Sequence, residues 1–95
     1  MLRKIIFFIN TKAGKHLTKD YVSRIAVKLL GNYYDLKFIS DSDTGEDIYR
    51  GIINYIDNDS EGFYAIVGVG GDGTINTVAR IALERGLILG IIPAG

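Results

Sequence analysis

Apolar residues in this chain alternate between short unbroken runs and helical stripes. Ile5-Ile6-Phe7-Phe8-Ile9 is continuous, the pattern of a strand buried on both faces. After the polar stretch Asn10–Lys15, apolar residues fall at Tyr21, Val22, Ile25, Ala26, Leu29 and Leu30. That spacing predicts a helix, with Thr18 as N-cap and Gly31-Asn32 as the stop. Leu36-Lys37-Phe38 alternates, so a second strand has one wetter face and sits nearer a sheet edge. Asp41-Ser42-Asp43-Thr44-Gly45 is turn chemistry. A second helical stripe follows at Ile48, Tyr49, Ile52, Ile53 and Ile56, ended by Asp57-Asn58-Asp59-Ser60. Phe63 to Val69 reads as a third strand, then a glycine loop, then a helix from about Thr74 with Ile75, Val78, Ala79, Ala82 and Leu83 inward. Gly86 closes that helix, and Leu87 to Ile92 reads as a fourth strand.

The order is β-α-β-α-β-α-β. Strands separated by helices of this length require crossover connections, hence a parallel sheet with helices on both faces, a three-layer αβα arrangement of Rossmann-like type. In such sheets ligands bind outside the carboxyl ends of the strands. The loops Asn10–Lys15, Asp41–Gly45, Gly70–Thr74 and Pro93–Gly95 all follow strands and are therefore expected on one edge.

Bulk properties narrow the function. Eleven basic and eleven acidic residues cancel, so no overall field draws the chain to nucleic acid. With no cysteine there is neither a disulfide framework nor a thiolate metal site. The apolar run near the N-terminus is too short for a secretory signal, and nothing approaches the ~20 apolar residues of a membrane span. These features predict a soluble, cytoplasmic protein. The chain stops on Pro93-Ala94-Gly95, a turn with no element after it, so 95 residues are expected to be part of a longer domain. An uncovered sheet edge in such a piece offers a route to homo-oligomers.

The glycine loop reads Val67-Gly68-Val69-Gly70-Gly71-Asp72-Gly73-Thr74-Ile75-Asn76. It is not a Walker loop, which needs Gly-Lys-Ser/Thr; Gly14-Lys15-His16 comes nearest and lacks the hydroxyl. Gly68-x-Gly70-x-x-Gly73 fits the dinucleotide fingerprint formally. That motif expects an acid about 20 residues on, and positions 88–95 carry none. His16 has no second His or acid at ligand spacing.

As a unit, Gly-Gly-Asp-Gly-Thr followed by Asn76 and Val78 resembles the signature of the diacylglycerol kinase-like lipid kinases, which share it with the NAD kinases. Asn10-x-x-x-Gly14 resembles that family's N-P-x-[SA]-G, and Ile91-Ile92-Pro93-Ala94-Gly95 its I-P-x-G-T segment. The similarity runs over all 95 residues. There are departures: Thr11 replaces a proline, Thr77, Arg80 and Ile81 stand where many members have Glu, Asn and Gly, and Asp41 occupies a position where the family has a nucleotide-contacting Thr, with Ser40 and Ser42 as neighbours.

The resemblance implies the nucleotide-binding N-terminal part of a lipid kinase catalytic domain, with a second, largely β domain that forms the lipid site and supplies the general base. It implies ATP and Mg²⁺ as ligands and a lipid hydroxyl at the membrane surface, such as that of diacylglycerol, as acceptor. Nucleotide contacts would come from Asn10, Thr11, Lys12, Ala13, Gly14, Asp41, Gly70, Gly71, Asp72, Gly73, Thr74, Ile75 and Asn76. The glycines would let the backbone turn sharply and present N–H groups, beside the positive end of the following helix. Asp72 has a place beside phosphate as support for Mg²⁺, directly or through water, or as acceptor for a nucleotide hydroxyl. Its competing reading is local, as turn chemistry capping the third helix. No catalytic base is evident in the sequence. The alternative functions are an NAD kinase-like enzyme and a non-catalytic, self-associating fragment.

Overall fold

The computed structural model describes residues 1–12 and 18–94. Four strands, β1 (Arg3–Ile9), β2 (Tyr34–Ser40), β3 (Ala65–Gly70) and β4 (Ile88–Pro93), form one sheet of order β2-β1-β3-β4 in which every pair is parallel. The helices are α1 (Lys19–Leu30), α2 (Asp41–Thr44), α3 (Ile48–Asp57) and α4 (Asp72–Arg85). The expected alternation and parallel sheet are both present. The one added element is α2, where the Asp41–Gly45 stretch makes a single helical turn rather than a plain turn. Asp43 lies three residues after the Ser40 N-cap, and its carboxylate accepts the Ser40 N–H at 2.9 Å, which closes that turn.

Side-chain alternation divides the core between two faces. Ile6, Phe8 and Ile66 pack with Ile52 and Ile56 of α3 and with Val78, Ile81 and Ala82 of α4. Ile5, Phe7, Ile9, Ala65 and Val69 face the other way, against Val22 and Ala26 of α1. Thus β1 leads through α1 on one face to β2, while β3 leads through α4 on the opposite face to β4, in the opposite direction. Both connections then have the same hand, as parallel crossovers require. Between β1 and β3 the chain directions diverge, and that is the topological switch point where open α/β sheets bind ligands.

The caps follow the residues. Thr18 accepts the Tyr21 N–H at 3.1 Å at the start of α1, and Gly86 takes the left-handed conformation (φ 66°) that ends α4. The helical stripe of α1 is less buried than its spacing predicts. Val22 and Ala26 are covered, but Tyr21, Ile25 and Leu29 remain 43, 42 and 67% exposed, because among the described residues no second helix packs beside α1 on that face. The result is an apolar groove of about 220 Å³ bordered by α1 and by Ile92 of β4. Among the described residues, no helix is long and apolar enough to cross a membrane.

Candidate functional site

The loops after β1, β2, β3 and β4 meet at the carboxyl edge of the sheet. The centre of this meeting is Asn10. Its backbone N–H donates to the Val69 carbonyl at 2.9 Å, continuing the β1–β3 ladder by one residue. Its side-chain Nδ2 donates to Thr74 Oγ1 at 2.9 Å, and its Oδ1 accepts the Lys12 N–H at 3.0 Å. The last bond is an Asx-turn, so Asn10 shapes its own loop and ties that loop to α4 with one side chain. Thr74 is buried and turned inward, its hydroxyl engaged by Asn10 across the switch point.

The helix after the glycine loop starts at Asp72, two residues earlier than its apolar stripe indicates. Gly71 is the N-cap, in extended conformation (φ −85°, ψ −168°), and its carbonyl accepts the Ile75 N–H at 3.0 Å. A glycine cap has no side chain, and no side-chain cap bond closes this helix end. The N–H groups of Asp72, Gly73 and Thr74 belong to the first turn and have no intrahelical acceptor. Among the described residues they have no backbone acceptor, and they stand at the carboxyl edge of the sheet, where β3 ends.

The glycines of this loop are needed for reasons other than sharp backbone turning. Positive φ occurs only at Gly45, Gly62 and Gly86 among the described residues, so Gly70, Gly71 and Gly73 adopt angles open to any residue. Gly68 and Gly70 are instead points of close approach. A Cβ on Gly68 would lie 3.0 Å from Val78 Cγ2, and one on Gly70 would lie 2.7 Å from Thr74 Oγ1 and 2.8 Å from its Cβ. Gly73 is different again: a Cβ there would meet nothing within 4 Å. Nothing among the described residues requires glycine at this helical position, which leaves room beside the first-turn N–H groups.

Asp72 is exposed at the first helical position and does not cap the helix, so the local reading of this residue does not describe the fold. Its negative charge favours the helix dipole by about 0.3–1 kcal/mol. Asn76, also exposed, follows four residues later on the same helix face, and Ile75 is half-buried. Of the residues that depart from the family pattern, Ile81 and Arg80 hold α4 against its neighbours, and Thr77 bonds within the helix. Thr77 donates its hydroxyl to the Gly73 carbonyl at 3.0 Å, Ile81 is fully buried, and the Arg80 guanidinium lies 4.1 Å from the centre of the Tyr49 ring on α3.

On the β2 side, Asp41 Oδ1 accepts the Thr11 N–H at 2.8 Å and the Thr11 hydroxyl at 2.9 Å. Burial pushes the Asp41 carboxyl up, but the Thr11 backbone and side-chain hydrogen bonds outweigh it, with help from Lys12, and hold it below its ordinary value. The neighbouring Ser40 is buried and bonds to Ser42 at 2.8 Å between hydroxyls. Lys19 and Asp43 form a brace that the site reading missed, an ion pair of 3.0 Å between α1 and α2. The Ser40 backbone bond, together with Lys19, holds the Asp43 carboxyl below its ordinary value. The S-x-x-D spacing from Ser40 to Asp43, which matches a capping box, was the available signal. On the far side, the Ala94 N–H donates to the Gly70 carbonyl at 2.9 Å and brings the end of β4 against the glycine loop.

The structure therefore gathers Asn10, Thr11, Lys12, Asp41, Gly70–Thr74 and Asn76 at one sheet edge. Ala13 and Gly14, with Lys15 and His16, lie outside the described residues. No group of three or more His, Cys, Asp or Glu side chains able to hold a metal occurs among the described residues. The carboxylates at this edge among the described residues include Asp72, exposed at the first turn of α4, and Asp41, bonded to Thr11.

Comparison with curated proteins gave no significant match. The family model described as the diacylglycerol kinase catalytic domain matches residues 4–95, a span that takes in all four strands but for Arg3 at the start of β1, and each loop of the crevice. The chain belongs to the diacylglycerol kinase catalytic domain family.

Proposed function

We propose that this chain is the nucleotide-binding part of a lipid kinase that transfers the γ-phosphate of ATP to a lipid hydroxyl, with diacylglycerol or a similar alcohol as acceptor at the membrane surface. The observation that carries the proposal is the uncapped first turn of α4, with free space at Gly73, at the switch point and anchored by Asn10. A helix end of this kind binds phosphate through backbone N–H groups, without a cationic side chain.

Phosphoryl transfer in line from ATP to an alcohol needs positioning and charge neutralisation more than covalent help. The first-turn N–H groups of α4 hold the phosphates, and the Asn10–Thr74 bond fixes the two loops on either side of them. Asp72 stands beside them with the wrong sign: two unit charges ~4 Å apart repel by about 4 kcal/mol at an effective dielectric of 20. Mg²⁺, when bound, neutralises phosphate oxygens and makes a carboxylate at this place favourable, directly or through water. A nucleotide hydroxyl is the other partner that suits Asp72. No described residue at the crevice is placed as a base for the lipid hydroxyl, whose proton goes to a group in a further domain. The chain alone accordingly binds nucleotide and does not turn over lipid.

The test is a titration of the chain with ATP, with and without Mg²⁺, on wild type and Asp72→Ala. The expected result is binding strengthened by Mg²⁺ in wild type and a smaller Mg²⁺ effect in the variant. Equal binding in all four conditions leaves the phosphate-site reading without support. Turnover of diacylglycerol by the isolated chain refutes the assignment of the base to another domain.

A further inference from the structure

The two edges of the sheet differ in chemistry. At one edge, β2 carries Asp35 and Lys37, paired at 3.6 Å. Charges of this kind keep an edge strand from pairing with other chains. At the other edge, β4 carries none. Ile88-Leu89-Gly90-Ile91-Ile92 is apolar throughout and pairs with β3 alone among the described residues. Ile88, Leu89 and Ile91 are exposed, and so is Leu83 of α4, which shares a shallow apolar hollow with Leu89.

The backbone groups that β4 leaves open follow from those it uses. The Ile88 N–H donates to the Tyr64 carbonyl at 3.1 Å, and the Ala94 N–H to the Gly70 carbonyl at 2.9 Å. Ile88, Gly90, Ile92 and Ala94 therefore turn their backbone groups toward β3, and by the alternation of a strand Leu89 and Ile91 turn theirs outward. On either side of these the donors stop: the Leu87 N–H is bonded to the Ala82 carbonyl, and Pro93 has no N–H. The open groups thus lie symmetrically about Gly90.

We infer that β4 pairs with β4 of a second copy of this chain, antiparallel, about a two-fold axis at Gly90. In this register Leu89 stands opposite Ile91 of the second copy and exchanges both N–H···O=C bonds with it. The axis repeats the exchange, so the N–H and C=O groups of both residues are satisfied in both copies. A shift of two residues, the smallest that keeps the faces matched, sets Leu89 against Pro93 or Ile91 against Leu87, and neither has an N–H to give. Gly90 meets its own copy where antiparallel backbones come within about 4.5 Å, and it brings no side chain to crowd the axis. No charge in the strand meets its like. Leu89 packs against Ile91 on the α4 face, and Ile88 against Ile92 on the other. Self-pairing satisfies the edge completely, which assigns it to a second copy rather than to an unrelated strand. The strands run in opposite directions, so the two crevices lie at opposite ends of the joined sheet and both stay open. The inference is independent of the nucleotide reading.

The chain has no cysteine, so introduced cysteines report the register. The experiment combines sedimentation over rising concentration with cross-linking under mild oxidation, and circular dichroism verifies that each variant folds. Wild type is expected to pass from monomer to dimer and stop there. Leu89→Cys and Ile91→Cys should cross-link at least tenfold faster when mixed than either does alone, and Ile91→Lys should weaken the dimer at least tenfold. A wild type that stays monomeric overturns the proposal and leaves the edge to a strand of another protein. Growth past the dimer overturns it, because a closed two-fold contact does not propagate. A dimer in which Leu89→Cys cross-links alone as fast as in the mixture, or one that Ile91→Lys leaves intact, overturns it as well.

Discussion

Gly73→Ala separates what the fold needs from what the ligand needs. The position is helical, its φ is not positive, and an added Cβ meets no atom within 4 Å. Alanine there reduces the freedom of the unfolded chain and improves helix propensity, worth about 0.4–1 kcal/mol where no strain is introduced. For a domain of this size 1 kcal/mol moves the melting temperature by about 4–8 °C, so the variant should melt roughly 2–8 °C higher than wild type. The same methyl group occupies the space beside the open N–H groups of α4, and ATP affinity should fall at least tenfold, about 1.4 kcal/mol or more. Gly70→Ala provides the contrast. Its Cβ would lie 2.7 Å from Thr74 Oγ1, and overpacking of this kind destabilises by about 1–3 kcal/mol. Thermal melts by far-ultraviolet circular dichroism and a fluorescent-nucleotide titration measure both properties on the same samples. A Gly73→Ala variant that melts lower than wild type, or that binds ATP equally well, refutes the conclusion that this glycine is kept for a ligand.

Asn10→Ala removes the donor to Thr74 and the Asx-turn acceptor together, and should destabilise by about 1–3 kcal/mol in urea titration while loosening the nucleotide loop. The acid limb of stability should depend on Asp59, whose carboxyl is held below its ordinary value mainly by the Lys4 ammonium at 2.9 Å, against burial. A carboxylate with a depressed folded-state pKa contributes fully above its unfolded value near 4 and loses that contribution as pH falls through the folded value. Asp59→Asn should thus be less stable than wild type at pH 7, with the difference closing in acid; a difference that persists unchanged to about pH 2 counts against the ion pair. At the open edge of the sheet, Ile88, Leu89 and Ile91 are 52, 37 and 48% exposed, so the chain should self-associate as concentration rises, and Ile91→Lys should shift sedimentation toward monomer. Concentration-independent sedimentation of wild type would show that this edge does not pair.

The individual elements of this chain differ in how openly they were written in its residues. The β1 run Ile5–Ile9 is apolar on both faces, and it is central, with β2 and β3 on either side. Lys37 between Leu36 and Phe38 marks β2 as an edge strand, and it is one. The same logic misleads at β4, whose apolar residues look as buried as those of β1 yet lie at the opposite edge. A run of isoleucines records preference for an apolar setting, and the neighbours alone determine whether that setting exists. The start of α4 was displaced by two residues because the stripe locates the buried face, while the helix begins at a glycine cap that carries no side-chain signal. At the crevice, the loops could be assigned to one edge from element order, but the Thr11–Asp41 and Lys19–Asp43 contacts could not. They join residues 30 and 24 positions apart, and no local pattern specifies which partners meet.

From its residues alone this protein was settled as an alternating α/β chain with a parallel sheet, because the periods of apolar residues and the lengths between them permit little else. The Gly-Gly-Asp-Gly-Thr loop likewise carries its family resemblance in five consecutive residues. Only the tertiary structure decided that Asn10 locks onto Thr74, that Gly70 is crowded while Gly73 is free, and that Asp41 is bound to Thr11. The reason is one of range. Helix and strand periodicities are set by neighbours a few residues away, whereas the shape and charge of a crevice at a sheet edge arise where loops distant in sequence converge, and that convergence exists only once the strands have paired.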